Sequence, residues 1–226
     1  MHPTENHEPE VLDSDESAPI EPDPTPNLMI MGIIVEGGLL VLAILIGWFG
    51  FCDNNQSLFD LDPVKVLQPA FIYGVTSLVP LLILLLLILR TDLAPLKRMR
   101  QTVDELLGPL FKDCSVLQIA ILSLMAGLGE ELFFRWCLQG GLAEVMGQPN
   151  GPLWAALIIG VLFGLCHFIT LNYAVITALI GIYLGWVMNE SGTYLAPALS
   201  HALFDFVALL VVVKRAKEAE FLEIPE

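Results

Sequence analysis

The stretch from Ala70 to Leu89 contains no charged residue and is almost entirely apolar. An earlier apolar stretch, Leu28 to Cys52, carries Glu36 as its one charged residue. A helix needs about 20 such residues to cross the hydrocarbon core of a bilayer. Because hydrophobic residues make up 55% of the chain, these stretches are typical of a membrane protein rather than of a soluble domain with a large core.

Further apolar stretches follow, and together they predict an all-α fold: a polytopic membrane helix bundle with about six transmembrane helices. The expected spans are 28–51, 67–89, 116–139, 152–169, 173–189 and 194–213. They divide the chain into four parts: an acidic tail (1–27), two N-terminal spans with a basic connection (28–113), a bundle of four spans (114–213) and a short second tail (214–226).

The acidic tail has a composition of its own. Eight of the 25 acidic residues and six of the 15 prolines fall within residues 1–27, with no Lys or Arg among them. Such a segment cannot bury enough apolar surface to fold, so we expect it to be disordered. It also lacks the basic start of a signal peptide, which indicates that the first apolar stretch is retained as a span.

Positive charges predict the orientation of the spans. Eight of the ten Lys and Arg residues lie between spans two and three or after span six: Arg90, Lys97, Arg98, Arg100, Lys112, Lys214, Arg215 and Lys217. Because cytoplasmic loops carry an excess of such residues, both termini are expected in the cytoplasm. We predict a multi-pass protein of a bacterial inner membrane that contacts lipid and no nucleic acid.

The stretch from Gly129 to Cys137, GEELFFRWC, places three charged residues inside the third span. Each costs about 2.5–3.5 kcal/mol on insertion scales, so such residues are rare without a partner or a cavity. Glu131 and Arg135 are four residues apart with the acid first, the favourable order for a helical ion pair. Glu130 points about 100° away around the helix and is left without a local partner.

Two later spans supply candidate partners for Glu130. His167 lies near the end of span four, and His201 and Asp205 share one face of span six at the i, i+4 spacing. Gathered in the bundle interior, these four side chains would form a polar pocket in which a carboxylate can act as a base for water. The same four could instead ligate a divalent metal such as Zn²⁺, which would activate a bound water.

Three motifs in chain order resemble those of the CPBP intramembrane proteases, also called the Abi family, which include the type II CAAX prenyl endopeptidases. The motifs are Glu130-Glu131-x-x-x-Arg135, Phe163-x-x-x-His167 and His201-x-x-x-Asp205. The resemblance covers about residues 115–213 and makes 114–213 the expected catalytic bundle. It implies hydrolysis of a peptide bond, near or within the bilayer, in a peptide or lipidated-protein substrate.

The resemblance also implies a role for each matching residue. Glu130 would activate water, with His167 helping to hold it. His201 and Asp205 would stabilise the oxyanion formed at the scissile carbonyl. Glu131 and Arg135 would hold the motif in place as structural support.

Asp205 departs from the family, which more often has Asn at this position. An ionised Asp only accepts hydrogen bonds, whereas Asn can donate one to an oxyanion. Asp205 would serve that role only when protonated; otherwise it would orient His201 or ligate a metal. The resemblance does not choose between a metal-dependent and a glutamate-driven mechanism.

The positions of Glu36 and His167 within their spans raise two questions of geometry. Glu36 lies near the start of span one, which favours a structural or snorkelling role over a place at the site. His167 lies too near the end of span four to match the depth of Glu130, so we expect that span to be tilted or to begin later than residue 152; a buried break at 169–173 is the alternative.

The polar residues leave two other functions open. One is a catalytically silent scaffold or maturation partner with the same fold, which the Asp205 departure favours. The other is a proton-coupled transporter that uses the acids and histidines as a relay. The short chain and the lack of a visible inverted repeat count against a transporter.

Overall fold

The computed structural model describes residues 25–49, residue 52 and residues 62–223, and within these ranges it is helical with no strand. The helices are α1 (Thr25–Trp48), α2 (Gln68–Arg90), α3 (Ala94–Phe111), α4 (Val116–Glu131), α5 (Gly140–Met146), α6 (Gly151–Cys166), α7 (Leu171–Ser191) and α8 (Leu195–Glu223). Two π-helical segments, Pro63–Leu67 and Leu132–Gln139, run into α2 and α5. The predicted all-α fold is confirmed.

Five helical stretches of the described residues are long and apolar enough to cross a membrane: Ile30–Trp48, Pro63–Arg90, Val116–Met146, Leu171–Ser191 and Leu195–Leu222. Gly151–Cys166 is apolar but shorter. Together they indicate a multi-pass integral membrane protein. Residues 1–24 of the predicted acidic tail lie outside the described residues, and α8 continues past the expected end at 213.

Local sequence signals account for several helix ends. Ser115 and Gln118 form a reciprocal capping box at the start of α4, with Ser115 N donating to Gln118 Oε1 over 2.8 Å. Thr170 caps α7 by accepting a hydrogen bond from the backbone N–H of Tyr173. Gly192 ends α7 with φ of 67°, a left-handed conformation that glycine adopts without a Cβ clash.

Close backbone approaches position the helices that carry the motifs. A Cβ at Gly164 of α6 would lie 2.5 Å from the carbonyl oxygen of Ala174 on α7. A Cβ at Gly127 of α4 would lie 2.7 Å from the backbone N of Ala202 on α8. Because both distances are shorter than any real Cβ contact, only glycine permits these approaches, as in small-residue packing of membrane helices.

The fourth predicted span differs from the observed helix. We expected this helix to be tilted or to begin later than residue 152. Instead, α6 begins at Gly151 and ends at Cys166, before His167. At 1.5 Å per residue its 16 residues span about 24 Å, less than a bilayer core of about 30 Å. Because α6 ends early, the break between α6 and α7 brings His167 to the depth of the other polar residues.

Candidate active site

The ion pair between Glu131 and Arg135, predicted from their spacing, lies at the centre of the bundle. Both side chains are 0% exposed, and Arg135 Nε is 2.7 Å from Glu131 Oε2. The guanidinium also lies over the ring of Phe163, with its central carbon 5.0 Å from the ring centroid. A buried charge is costly unless it has a partner, and these contacts provide partners for both charges.

Glu131 also joins α4 to α8. Its Oε1 lies 2.9 Å from His201 Nδ1, and the other ring nitrogen of His201 lies 3.3 Å from Asp205 Oδ2. With both carboxyl groups ionised, both contacts are hydrogen bonds at once only when both ring nitrogens carry protons, that is, when His201 is an imidazolium. The Glu131–His201 contact was not predicted from the sequence, because it joins residues on separate helices.

Glu130 lies beside His167 rather than in the ion-pair network. Its Oε2 is 3.5 Å from His167 Nε2, beyond the usual hydrogen-bond range, and it makes no hydrogen bond in the described structure. His167 Nδ1 lies 2.9 Å from the carbonyl oxygen of Phe163, which accepts a proton from Nδ1, and Nε2 is the ring nitrogen that faces Glu130. The Glu130 and His167 side chains keep 12% and 28% of their surface exposed, so both remain accessible.

Phe163 brings the two histidines into one cluster. Its ring centroid lies 4.4 Å from that of His167 and 5.8 Å from that of His201. The side chains of Glu130, His167, His201 and Asp205 are therefore grouped around one aromatic ring, as two acid–histidine pairs. Direct contacts pair Glu130 with His167 and His201 with Asp205, while His201 reaches Glu131 rather than Glu130.

The helix changes its winding at the motif. α4 ends at Glu131, and the following residues Leu132–Gln139 form a π-helical segment. Such segments insert an extra residue per turn and occur often at functional sites. The sequence predicted an unbroken α-helix here, since π winding has no local sequence signature.

A cavity of about 650 Å³ lies beside this cluster and is lined by His167, Asp205 and Glu36, with mostly apolar side chains around them. It extends towards α3 and the later part of α8, where Arg100 of α3 and Arg215 of α8 line it. The sequence favoured a structural or snorkelling role for Glu36 over a place beside the motif residues, and the structure differs on its position. Its carboxylate lines the same cavity as the motif residues, because α1 packs against α4 with this residue facing inward.

The donors for a metal ion do not converge in this arrangement. No three His, Cys, Asp or Glu side chains of residues 25–49, 52 and 62–223 are placed to hold one. Both ring nitrogens of His201 already face carboxylates, and His167 Nδ1 faces a carbonyl oxygen. The residues as placed therefore do not form a zinc site, which needs three or four convergent donors.

Comparison with protein families bears on this arrangement. Residues 112–207 match the family model described as type II CAAX prenyl endopeptidase Rce1-like. The resemblance seen in the three motifs is thus confirmed. The match begins just before α4 and ends two residues after Asp205, so it contains all three motifs and excludes α1 and α2. No curated protein and no solved structure is significantly similar to the chain.

Proposed function

We propose that this protein is an intramembrane endopeptidase that hydrolyses a peptide bond in a membrane-associated substrate, using water activated by Glu130 and His167. The observation that carries this proposal is the contrast between two adjacent acids. The Glu131 side chain is fully buried and ion-paired, whereas the Glu130 side chain is 12% exposed and its Oε2 makes no hydrogen bond within the described residues but lies 3.5 Å from His167 Nε2. A carboxylate left free beside a histidine can take a proton from water.

The proposed first step is the attack of water on the scissile carbonyl carbon. The water oxygen bonds to that carbon, and one water proton passes to the Glu130 carboxylate while the His167 ring helps to orient the water through Nε2. The tetrahedral intermediate carries negative charge on the former carbonyl oxygen. A positive His201, held between Glu131 and Asp205, stabilises that charge electrostatically.

In this proposal Asp205 orients His201 and is not a direct donor to the oxyanion. Its Oδ2 lies 3.3 Å from His201 Nε2, which suits acceptance of a proton from the ring. This geometry supports the orienting role among the three that the sequence left open for Asp205.

The cavity suits an apolar or lipidated substrate. Its volume of about 650 Å³ lies in the range of pockets that enclose a drug-sized molecule. Its apolar lining next to a polar cluster suits a segment whose lipid or apolar part binds in the cavity and whose peptide bond meets Glu130. A prenylated CAAX peptide and a leader peptide both fit this description.

The expected orientation places the cavity on the cytoplasmic side. It extends towards α3, whose sequence contains Lys97, Arg98 and Arg100, and such residues favour the cytoplasmic face. We therefore propose that substrate enters from the cytoplasmic leaflet.

The test is hydrolysis of a prenylated CAAX peptide carrying a fluorophore and quencher, by the full-length protein in proteoliposomes. Glu130→Gln keeps the shape of the side chain but cannot accept a proton, so kcat should fall by about 1000-fold. Glu105→Gln is the matched control, because Glu105 is exposed on α3 and should leave kcat unchanged. Equal rates for Glu130→Gln and wild type would contradict the assignment.

A further inference from the structure

Glu36 is a polar residue of the cavity that the Glu130 mechanism does not use. Its Oε2 is buried and has no hydrogen-bond partner. Residues 25–49 contain no Lys, Arg or His, so α1 offers it no cation. A buried carboxyl oxygen without a partner is costly, and packing alone does not account for it.

The position of Glu36 is fixed by a close approach between α1 and α4. A Cβ at Gly129 would lie 2.8 Å from the backbone oxygen of Glu36 and 3.2 Å from its Oε2. The Glu36 carboxyl group therefore lies against α4 one residue before Glu130. Gly129 has no side chain to separate the two helices, so an acid from outside the family-matched segment reaches the candidate site.

The other titratable groups facing Glu36 already have roles or partners. Glu130 on α4, His167 at the end of α6, and His201 and Asp205 on α8 all lie close enough to act on its charge. His201 and Asp205 contact each other, and Glu130 receives the proton of water in the proposed mechanism. Glu36 remains the carboxyl group with a free oxygen facing the cavity.

Peptide hydrolysis requires a second proton transfer, to the departing nitrogen, in addition to the transfer from water to Glu130. When the C–N bond breaks, its electron pair stays on nitrogen, and an amine is a very poor leaving group until that nitrogen is protonated. An uncharged carboxyl can supply the proton, and it is the form that a buried oxygen without a hydrogen-bond donor favours.

Resting on the proposed endopeptidase function, we propose that Glu36 is a further catalytic residue, the acid that protonates the departing amine. The water oxygen bonds to the carbonyl carbon and its proton goes to Glu130; the C–N bond then breaks and nitrogen takes the proton of Glu36. The proton held by Glu130 returns to Glu36 through water that enters the cavity as the products leave. The net reaction adds one water across the peptide bond.

The experiment compares two probes, the prenylated CAAX peptide and its analogue with a thioester in place of the scissile amide. A thiol has a pKa of about 8.5, so the thiolate leaves without being protonated. Glu36→Gln should lower kcat about 100-fold on the amide and less than about threefold on the thioester. Glu130→Gln should impair both probes, because both require activated water.

Two further variants test the placement of Glu36. Gly129→Ala should reproduce the selective loss on the amide, because its Cβ would push α1 and the carboxyl group away from α4. Gly37→Ala is the matched control, since a Cβ there meets nothing within 4 Å. Retained thioester hydrolysis by Glu36→Gln also shows that the variant is folded.

The outcomes separate the two proposals. Equal amide cleavage by Glu36→Gln and wild type overturns the role of Glu36, and so does an equal loss on both probes. A wild-type protein that cleaves neither probe contradicts the endopeptidase function for prenylated substrates. The proposed role of Glu36 is then contradicted as well, because it depends on that function. A selective loss on the amide supports both.

Discussion

The first and second halves of the molecule use polar residues differently. α1 exposes most of its large apolar side chains, such as Ile34 at 66% and Leu45 at 54%, whereas the charged residues Glu131 and Arg135 are 0% exposed. A lipid-facing helix needs only to be apolar, so many sequences suit it. A buried charge needs a specific partner at a specific place, so its neighbours are tightly constrained.

This contrast explains the extent of the family match. It covers residues 112–207, where the motif helices pack by close glycine contacts and pair their charges. α1 and α2 lie outside it. Glu36 is the exception within α1, because it is the one charged residue of that helix and its side chain lines the cavity.

The largest effect is expected on stability, when a buried charge is removed and compared with the removal of an exposed one. Arg135→Ala should destabilise the fold by about 3–5 kcal/mol, because it leaves Glu131 buried with a reduced set of partners. Thermal unfolding in detergent micelles measures this. Arg98→Ala, at an exposed position of α3, should change stability by less than about 0.5 kcal/mol. Similar losses for the two variants would remove the contrast between the halves.

A smaller effect is expected at the residue that departs from the family. Asp205→Asn keeps the size of the side chain but removes the charge that faces His201. If Asp205 orients a positive His201, kcat/KM should fall about tenfold, which corresponds to loss of about 1.4 kcal/mol of charge-assisted hydrogen bonding. Peptide cleavage in proteoliposomes measures it. A rise in kcat/KM would instead assign the position to oxyanion binding.

The smallest effect is expected at an ion pair that joins the two halves of the molecule beside the cavity. Asp104 on α3 lies 2.7 Å from Arg215 on α8. Burial raises the pKa of the Asp104 carboxyl, and Arg215 opposes that rise. A carboxyl whose pKa is higher in the folded state contributes stability at low pH, and that contribution is lost as the pH rises through the folded pKa.

Asp104→Asn does not titrate, so it should gain stability relative to wild type as the pH rises from about 4. The difference should stay below about 1 kcal/mol, because the pair is partly solvent-exposed. Unfolding curves of both proteins over that pH range measure it. If wild type gained stability relative to the variant with rising pH, the attraction of Arg215 would outweigh burial.

Much of the fold could be predicted from the sequence, because apolar length alone indicates a spanning helix. The errors lie at helix ends. α6 ends at Cys166 rather than at 169, and α8 continues to Glu223 rather than ending at 213. An apolar residue beyond a helix and one inside it look alike in sequence, so the end of α6 could not be read from composition.

The sequence by itself determined the features that depend on short spacings. The pairing of Glu131 with Arg135 follows from the i, i+4 geometry of a helix, and the same spacing places His201 and Asp205 on one face. These relations hold wherever the helices pack. The three motifs likewise predicted the family resemblance from residue types in order.

The tertiary structure alone decided the contacts between helices. It placed His201 against Glu131, brought His167 to Glu130 by ending α6 early, and turned Glu36 of α1 into the cavity. Such contacts depend on the rotation and depth of each helix relative to its neighbours, which are set by packing at Gly127, Gly129 and Gly164. A single helix carries no information about the side chain that will face it across such a contact.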